Sequence, residues 1–298
     1  MALVATLISD PQAHALDPST VNMASRAVDA SGVDWLASDI ACDILLPEGA
    51  AREEAEQVLR GVLAGLPIDL AVQPLEGRRK KMLIADMDST MIDQECIDEL
   101  ADEIGVKEHV AAITARAMNG EIAFEPALRE RVALLKGLEI EVVERVITGR
   151  ITLAAGGREL IATMNAAGAY TALISGGFDI FTRRIAAMLG FREHRANRLI
   201  EQDGLLLGEV AEPILGRQAK ADALREIAAR LKIELSEVMA VGDGANDLDM
   251  IRLAGAGVAI HAKPAVAAAA RIRIDHGDLT ALLYLQGYRQ EEFARVQA

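Results

Sequence analysis

The sequence predicts an α/β protein built on a doubly wound parallel sheet, with a helical insertion in that region and a small α+β module before it. Beyond residue 81, short apolar strands alternate with amphipathic helices, a pattern typical of parallel sheets. Aromatic residues make up only 3% of the chain, so the core must consist mostly of Ala, Leu, Ile and Val, which suits helices packed on such a sheet. A basic, glycine-containing stretch at 76–81 marks the boundary between the two regions.

The first region, residues 1–76, alternates between strand and helix in a βαββαβ-like order. Its predicted elements are a strand over 2–9, a helix over 18–30 capped by Asp17 or Ser19, strand-like residues 33–46 broken near 37–39, an amphipathic helix over 51–66 and a strand over 68–72. This order resembles the amino-acid-binding regulatory modules called ACT domains. The resemblance implies a homodimer formed through the module. Three roles stay open for it: binding an amino acid as a feedback signal, pairing with another subunit, or stabilising the rest of the chain.

The second region, residues 77–298, contains the predicted parallel sheet. A strand over 81–85 leads into a largely helical stretch over about 93–150. The elements predicted after it are a strand over 170–174, a helix over 179–189, a strand pair around 193–208, a helix over 218–231 and strands over 238–241, 258–260 and 272–274. In doubly wound sheets the functional site lies at the carboxyl ends of the strands.

The formal net charge of −14 limits the classes of partner. Nucleic acids and anionic membranes attract basic proteins, so neither is expected to bind this chain. No apolar run reaches the roughly 18 residues of a membrane span, and the N-terminus lacks the features of a signal peptide. The cysteines, Cys42 and Cys96, are far apart and do not form a disulfide framework. These features predict a cytoplasmic protein.

Three polar clusters each follow a predicted buried strand. In the first, Asp86 and Asp88 are separated by one residue. One carboxylate of such a pair can act as a nucleophile and metal ligand while the other transfers a proton. By itself, this cluster fits equally well a helix N-cap with acidic residues in the first turn.

The second cluster, Ser175 with Gly176 and Gly177, offers a hydroxyl and backbone N–H groups suited to phosphate oxygens. Taken alone, it fits an ordinary strand-to-helix turn. The third, residues 242–247, places oxygen ligands beside glycines, as hard cations such as Mg²⁺ prefer. Lys220 begins a helix before the third cluster. An isolated lysine there is usually a surface residue.

Together, these segments resemble the motif series of the haloacid dehalogenase superfamily: DxDST, a Ser or Thr after the second strand, a Lys, and GDGxND. The match spans roughly two-thirds of the chain, from residue 82 to about 285. It implies a Rossmann-like core with a helical cap over the site, here residues 93–150. The implied roles are Asp86 as nucleophile, Asp88 as general acid and base, Asp86, Asp243 and the Asp88 carbonyl as Mg²⁺ ligands, Ser175, Gly176 and Lys220 as phosphate-binding groups, and Asn246 and Asp247 as supporting groups.

Residues 86–95, 118–124 and 128–137 look like those of the phosphoserine phosphatase family. That resemblance implies that Glu95 holds the substrate ammonium, that Arg131 pairs with the substrate carboxylate, and that Met118 and Phe124 close an apolar lid. It also implies the last step of the phosphorylated pathway of serine biosynthesis. Without the resemblance, the two charged residues fit a solvated surface, and Met118 and Phe124 fit a cap core.

Other functions remain open from the sequence. A phosphatase for phosphothreonine, or a phosphotransferase to homoserine, would share the same chemistry. In a different class, a regulatory amino-acid-binding protein would use the first region and carry an inactive second region, but all four catalytic motifs are intact here. Cys96 adjoins Glu95, and a buried structural thiol is favoured over a redox role because nothing nearby would lower its pKa.

Overall fold

The computed structural model describes residues 2–118 and 121–296, excluding the side chain of Met118. The N-terminal region folds as a module with the predicted βαββαβ order. Its elements are β1 (Leu3–Ser9), α1 (Pro18–Ala27), β2 (Gly32–Ala37), β3 (Ala41–Leu45), α2 (Arg52–Val62) and β4 (Ile68–Pro74). The strands form an antiparallel sheet in the order β2-β3-β1-β4.

Local signals set the boundaries of the module's elements. The Asp17 carboxylate accepts a hydrogen bond of 2.7 Å from the Thr20 N–H, so Asp17 is the N-cap of α1. The break between β2 and β3 lies where predicted, with Asp39 in the left-handed region at a φ of 59°. Both helices end three or four residues earlier than predicted, at Ala27 and Val62, because helix ends are poorly marked by apolar periodicity.

The rest of the chain contains the parallel sheet, the helical insertion and a small hairpin. Its elements are β5 (Met82–Ala85), α3 (Cys96–Glu103), α4 (Lys107–Met118), α5 (Phe124–Ala133), α6 (Ile140–Gly149), α7 (Gly157–Ala166), β6 (Tyr170–Phe178), α8 (Asp179–Leu189), β7 (Glu193–Asn197), β8 (Leu199–Gln202), β9 (Leu205–Val210), α9 (Arg217–Leu231), β10 (Val238–Gly242), α10 (Leu248–Leu253), β11 (Ala256–Ile260), α11 (Pro264–Ala269), β12 (Ile272–Ile274) and α12 (Ala281–Leu285).

The predicted doubly wound parallel sheet is confirmed. Its order is β12-β11-β10-β5-β6-β7, with every neighbouring pair parallel. Every residue of β5 and β10 is buried, as expected for central strands covered by helices on both faces. The predicted strand pair around 193–208 divides differently: β7 joins the edge of this sheet, whereas β8 and β9 form a separate antiparallel hairpin.

The insertion contains α3 to α6 and lies between β5 and α7 in the chain, where the predicted cap was placed. The N-terminal module packs against the end of the chain rather than standing apart. Ile8, Leu36 and Ala71 of the module belong to the same buried apolar cluster as Leu283 and Tyr284 of α12. The described part of the chain contains no helix long and apolar enough to cross a membrane.

A glycine in β11 makes the sheet packing sensitive to one added methyl group. A Cβ on Gly257 would lie 1.9 Å from the carbonyl oxygen of Ile251 in α10, and a backbone atom cannot rotate away. We expect Gly257→Ala to lower the free energy of unfolding by about 3 kcal/mol, measured by urea denaturation.

The matched control is Gly61→Ala in α2, where a Cβ would meet nothing within 4 Å. There, Ala should raise the free energy of unfolding by about 0.5–1 kcal/mol, because Ala loses less conformational entropy in a helix. Equal effects at the two positions would contradict the close helix–sheet contact.

Candidate active site

A cavity of about 350 Å³ lies between the cap and the carboxyl ends of β5, β6 and β10. The sheet topology creates it, because polar residues that follow adjacent parallel strands meet at one edge. The predicted site residues that line it are Asp86, Asp88, Glu95, Phe124, Arg131, Ser175, Gly176, Asp243 and Asn246. Lys220 and Asp247 are wholly buried and adjoin Asp86. Met118 was predicted to form part of the lid, and its side chain lies outside the described residues.

A buried ion-pair network holds Asp86 in place. The Lys220 ammonium lies 2.7 Å from the Asp86 Oδ1 and 2.7 Å from the Asp247 Oδ1, and Lys220 has 0% exposure. Burial by itself lowers the pKa of a lysine, but the two carboxylates outweigh it and hold the pKa of Lys220 above its ordinary value. Lys220 therefore stays charged and orients Asp86. The contact of Lys220 with the phosphate oxygens of a substrate remains a prediction.

Asp88 has the environment of a proton carrier. Its Oδ1 accepts a hydrogen bond of 2.8 Å from the Cys96 N–H, and its Oδ2 accepts one of 3.2 Å from the Ser175 hydroxyl. Burial, and then the negative charges of Glu95 and Asp86, raise the pKa of Asp88 to about 7. A carboxyl group with this pKa can both give up and take up a proton near neutral pH.

Cys96 contributes its backbone rather than its thiol to this arrangement. The side chain is buried, and burial, followed by the negative charge of Asp88, raises the pKa of the thiol well above its ordinary value. The reactive thiolate is therefore disfavoured, which agrees with the structural role favoured from the sequence.

The carboxylates of Asp86, Asp243 and Asp247 form a candidate metal centre. Each offers an oxygen within 4.8 Å of the others, and all three residues are buried. Burial, and then the charge of Asp86, raise the pKa of Asp243 to about 6 and that of Asp247 to about 8. Three buried carboxylates with an excess of negative charge are a suitable set of ligands for a hard divalent cation. The sequence interpretation gave Asp247 only a supporting role, whereas the structure places its carboxylate among the candidate ligands.

Gly242 explains how Asp247 reaches this position. A Cβ on Gly242 would lie 2.4 Å from the Asp247 Cγ, so a side chain there would displace the carboxylate. The Asp247 Oδ2 also accepts a hydrogen bond of 3.0 Å from the Gly244 N–H. The glycines of the third cluster thus allow the Asp247 carboxylate to approach those of Asp86 and Asp243.

The second cluster differs in structure from its prediction. The strand was expected to end at residue 174, but β6 continues to Phe178, with a register shift against β7 between Ile174 and Phe178. Such an irregularity redirects side chains without ending the strand. A Cβ on Gly177 would lie only 2.7 Å from the Asp88 Oδ2, so the glycine permits this close approach. Ser175 and Gly176 still reach the cavity as predicted.

The cap contributes charged and apolar groups to the same cavity. The Glu95 Oε1 accepts a hydrogen bond of 2.8 Å from the hydroxyl of Ser89, whose φ is 53°. The Arg131 guanidinium donates to the Thr114 hydroxyl at 3.3 Å and to the Ala127 carbonyl at 3.2 Å. The Arg131 side chain is half-buried, whereas that of Glu95 is exposed at the cavity. Desolvation by the surrounding protein raises the pKa of Glu95 and lowers that of Arg131. The cavity therefore contains one acidic group, Glu95, and one basic group, Arg131, from the cap, in addition to the carboxylates that follow β5 and β10.

Two cavity-lining cations were missed from the sequence. The Lys263 ammonium lies 3.8 Å from the Asp243 Oδ2, and its backbone N–H donates to the Asp243 carbonyl at 3.2 Å. Arg217 also lines the cavity while pairing with Asp249. Lys263 comes three residues after β11, the neighbour of β10, so a search for charged residues after each predicted strand would have found it.

Comparisons with known proteins agree with this geometry. Residues 83–252 match the family model of the haloacid dehalogenase-like hydrolases. A phosphoserine phosphatase from Streptomyces coelicolor is 41% identical over 82% of this chain, and the chain spans 60% of that relative's length.

Two solved structures extend the likeness to three dimensions. A HAD family hydrolase from Salmonella enterica serovar Typhi has 30% identity and a TM-score of 0.86, covering 97% of this chain and 99% of its own. A phosphoserine phosphatase solved as a phospho-aspartyl intermediate analogue has 45% identity and a TM-score of 0.65, covering 69% of this chain and 98% of its own. On this evidence, and with the predicted motifs gathered around one cavity, the chain belongs to the haloacid dehalogenase-like hydrolases.

Proposed function

We propose that the chain is a Mg²⁺-dependent phosphatase that hydrolyses O-phospho-L-serine through an aspartyl-phosphate on Asp86. The observation that carries this proposal is the set of groups lining one cavity. Asp86 and Asp88 lie at its sheet edge, and Glu95 and Arg131 line it from the cap. A phosphorylated amino acid carries a phosphate, an ammonium and a carboxylate, and each finds a group of suitable chemistry here.

In the first step, an oxygen of Asp86 attacks phosphorus as the bond from phosphorus to the serine oxygen breaks. Asp88 gives its proton to the departing serine oxygen, for which its pKa of about 7 is suited. In the second step, Asp88 takes a proton from water as the water oxygen attacks the aspartyl-phosphate, which releases inorganic phosphate and restores Asp86. The ion pair with Lys220 keeps Asp86 oriented throughout.

Mg²⁺ would be held by Asp86, Asp243 and the backbone carbonyl of Asp88, with Asp247 beside them. When bound, it supplies the positive charge that offsets repulsion between the Asp86 carboxylate and an anionic phosphate. Ser175, Gly176 and Lys220 are proposed to stabilise the charge on the phosphoryl oxygens, and Asn246 to shape the site.

The substrate assignment is supported by Glu95 and Arg131. A carboxylate fixed by the Ser89 hydroxyl suits an ammonium, and a guanidinium can pair with a carboxylate through two parallel hydrogen bonds. Phe124 is proposed to cover the substrate together with Met118. It lies close to the phosphate-binding segment, since a Cβ on Gly176 would be 3.4 Å from the Phe124 ring. Two of the similar proteins described above are named phosphoserine phosphatases, which favours the same substrate.

For the chain as a whole, we propose a division into an ACT-like domain, residues 1–76, and a phosphatase domain, residues 77–298. The βαββαβ order and antiparallel sheet of the first region support an ACT-like fold. We also propose that the chain forms a homodimer through this domain, and that it is a cytoplasmic protein.

The deciding experiment is phosphate release from L-phosphoserine with Mg²⁺ and with EDTA, beside phosphothreonine and p-nitrophenyl phosphate at equal concentration. We expect turnover to be fastest with phosphoserine, to stop with EDTA and to return when Mg²⁺ is added in excess. Activity confined to the aryl phosphate would reject the substrate, and activity unaffected by EDTA would reject the metal.

Asp86→Asn should lower kcat by at least about a thousandfold, because an amide is a poor nucleophile towards phosphorus. The measurement is steady-state phosphate release, with thermal unfolding as a check that the variant is folded. The control is Asp222→Asn, an exposed carboxylate on α9 that binds Gln218 and Arg225, and it should match the wild type. Asp86→Asn activity above about a tenth of the wild-type value would refute the nucleophile.

Arg131→Ala should reduce kcat/KM for phosphoserine at least about 30-fold, as expected for loss of a charged hydrogen bond worth about 2 kcal/mol. Turnover of p-nitrophenyl phosphate, which has no carboxylate, should change by less than about threefold. Arg129→Ala, on the same helix but paired with Glu212, should affect neither substrate. Equal losses on both substrates in Arg131→Ala would contradict the carboxylate contact.

A further inference from the structure

The cap is joined to the core by two segments, residues 89–95 on the way out and 150–156 on the way back, here called the hinge segments. Hydrogen bonds join residues 91–94 of the first segment to residues 152–154 of the second. The Asp93 N–H donates to the Thr152 carbonyl at 3.1 Å, and the Ala154 N–H donates to the Met91 carbonyl at 3.0 Å. The Gln94 side chain both accepts from the Thr152 N–H at 2.9 Å and donates to the Thr152 hydroxyl at 2.6 Å. The position of the returning segment therefore fixes that of the outgoing one.

The outgoing hinge segment carries residues of the proposed substrate site. Ser89 and Glu95 lie at its two ends, and the Ser89 hydroxyl donates to the Glu95 carboxylate. The Ser89 N–H also donates to the Gln94 carbonyl at 3.3 Å. A displacement of the hinge segments would therefore move Glu95, which lines the cavity, as well as the helices of the cap.

The returning hinge segment rests on residues 275–280, here called the support loop, between β12 and α12. The Leu279 N–H donates to the Ala155 carbonyl at 3.1 Å. The two backbones are in close contact, because a Cβ on Gly156 would lie 2.6 Å from the Thr280 nitrogen. A Cβ on Gly157 would lie 3.3 Å from both Leu279 and Met91, so the support loop, α7 and the outgoing segment are packed together.

The support loop is in turn held by the N-terminal module through Asp69 of β4. The Asp69 carboxylate accepts hydrogen bonds from three successive backbone N–H groups: Asp275 at 2.8 Å, His276 at 3.1 Å and Gly277 at 2.7 Å. Asp69 is only 4% exposed. Buried N–H groups that lose their acceptor are costly, so this carboxylate constrains the backbone of the loop.

Two other carboxylates of the module bind arginines that lie outside the support loop. Asp43 binds Arg78 in the segment that follows β4, with 2.5 Å between the Asp43 Oδ2 and the Arg78 Nη2. Asp34 binds Arg289, which follows α12, at 2.7 Å. These pairs join the module to the rest of the chain, whereas the Asp69 contact leads through the support loop to the hinge segments.

We propose that the N-terminal module, through Asp69, positions the hinge segments of the cap and so controls how readily the cap closes over the cavity. Asp69 is a positioning residue in this scheme, because it acts through the support loop and touches no reacting group. The proposal rests on the proposed function only for the substrates used in its kinetic test.

The test is Asp69→Asn, which keeps the size of the side chain but removes its charge and replaces one acceptor oxygen with an N–H donor group. Hydrogen–deuterium exchange should rise at least about tenfold in residues 150–156 and 275–280, whose N–H groups include those of Ala154 and Leu279. Exchange in β5 and β10 should not change. The kcat/KM for phosphoserine should fall about fivefold, mainly through KM, with p-nitrophenyl phosphate little changed, because closure brings Arg131 and Glu95 to the amino-acid part of the substrate.

The matched control is Asp43→Asn, which changes another buried module carboxylate, bound by Thr6 and Arg78. It should leave hinge exchange and the kinetic ratio of the two substrates unchanged. Gly277→Ala provides a second variant in case Asp69→Asn does not fold. Its added Cβ would lie 3.3 Å from the Asp69 Oδ2 and 3.4 Å from Ile8, which should disturb the same contact more mildly and in the same direction.

Faster exchange of the support loop alone, with unchanged exchange at 150–156 and an unchanged substrate ratio, would overturn the proposal. Equal effects of Asp69→Asn and Asp43→Asn on the hinge segments would also overturn it, because they would show a general loss of stability. Absence of phosphoserine turnover in the wild type would count against the proposed function, and the exchange measurements alone would then decide the role of Asp69.

Discussion

The buried ammonium of Lys220 between Asp86 and Asp247 is the interaction on which the site depends. Several carboxylates lie together here in a chain whose net charge is already −14. Removing one partner from a buried ion pair typically costs about 3–5 kcal/mol, because the remaining charge is left uncompensated. Lys220 thus permits two acidic residues to be buried side by side. The negative charge that remains makes the centre suitable for a divalent cation.

The parallel sheet separates the functions of two carboxylates that are only two residues apart. Asp86 directly follows β5 and meets Lys220, whereas Asp88 meets the Ser175 hydroxyl of β6 and the Cys96 N–H at the start of α3. One is therefore held by a cation, and the other by neutral donors near like charges. Burial among like charges raises the pKa of Asp88, which gives it the proton that its proposed role requires.

The cap lines the cavity directly, whereas the N-terminal module is connected to the cap indirectly, through the support loop. The cap supplies Glu95 and Arg131, which would distinguish a phosphorylated amino acid from other phosphate esters. The module does not line the cavity with any of its described residues, but Asp69 holds the loop against which the returning hinge segment packs. Contacts at residues 275–280 and 150–156 thereby connect the module to the segments that carry the cap.

The amino-acid sequence was enough to predict the doubly wound sheet, the order of its elements and most of the polar side chains that line the cavity. The prediction was possible because apolar periodicity indicates burial, and because Asp86, Ser175 and Asp243 each come just after a predicted strand. The carboxyl ends of parallel strands meet at one edge of the sheet, where functional sites lie. The partner of each charged side chain, in contrast, depends on the tertiary structure. The pairing of Lys220 with Asp86 and Asp247, the approach of Lys263 to Asp243 and the contact of Asp69 with residues 275–277 join positions far apart in the chain. Such contacts depend on how helices and loops pack around the sheet, and no local pattern in the sequence records that packing.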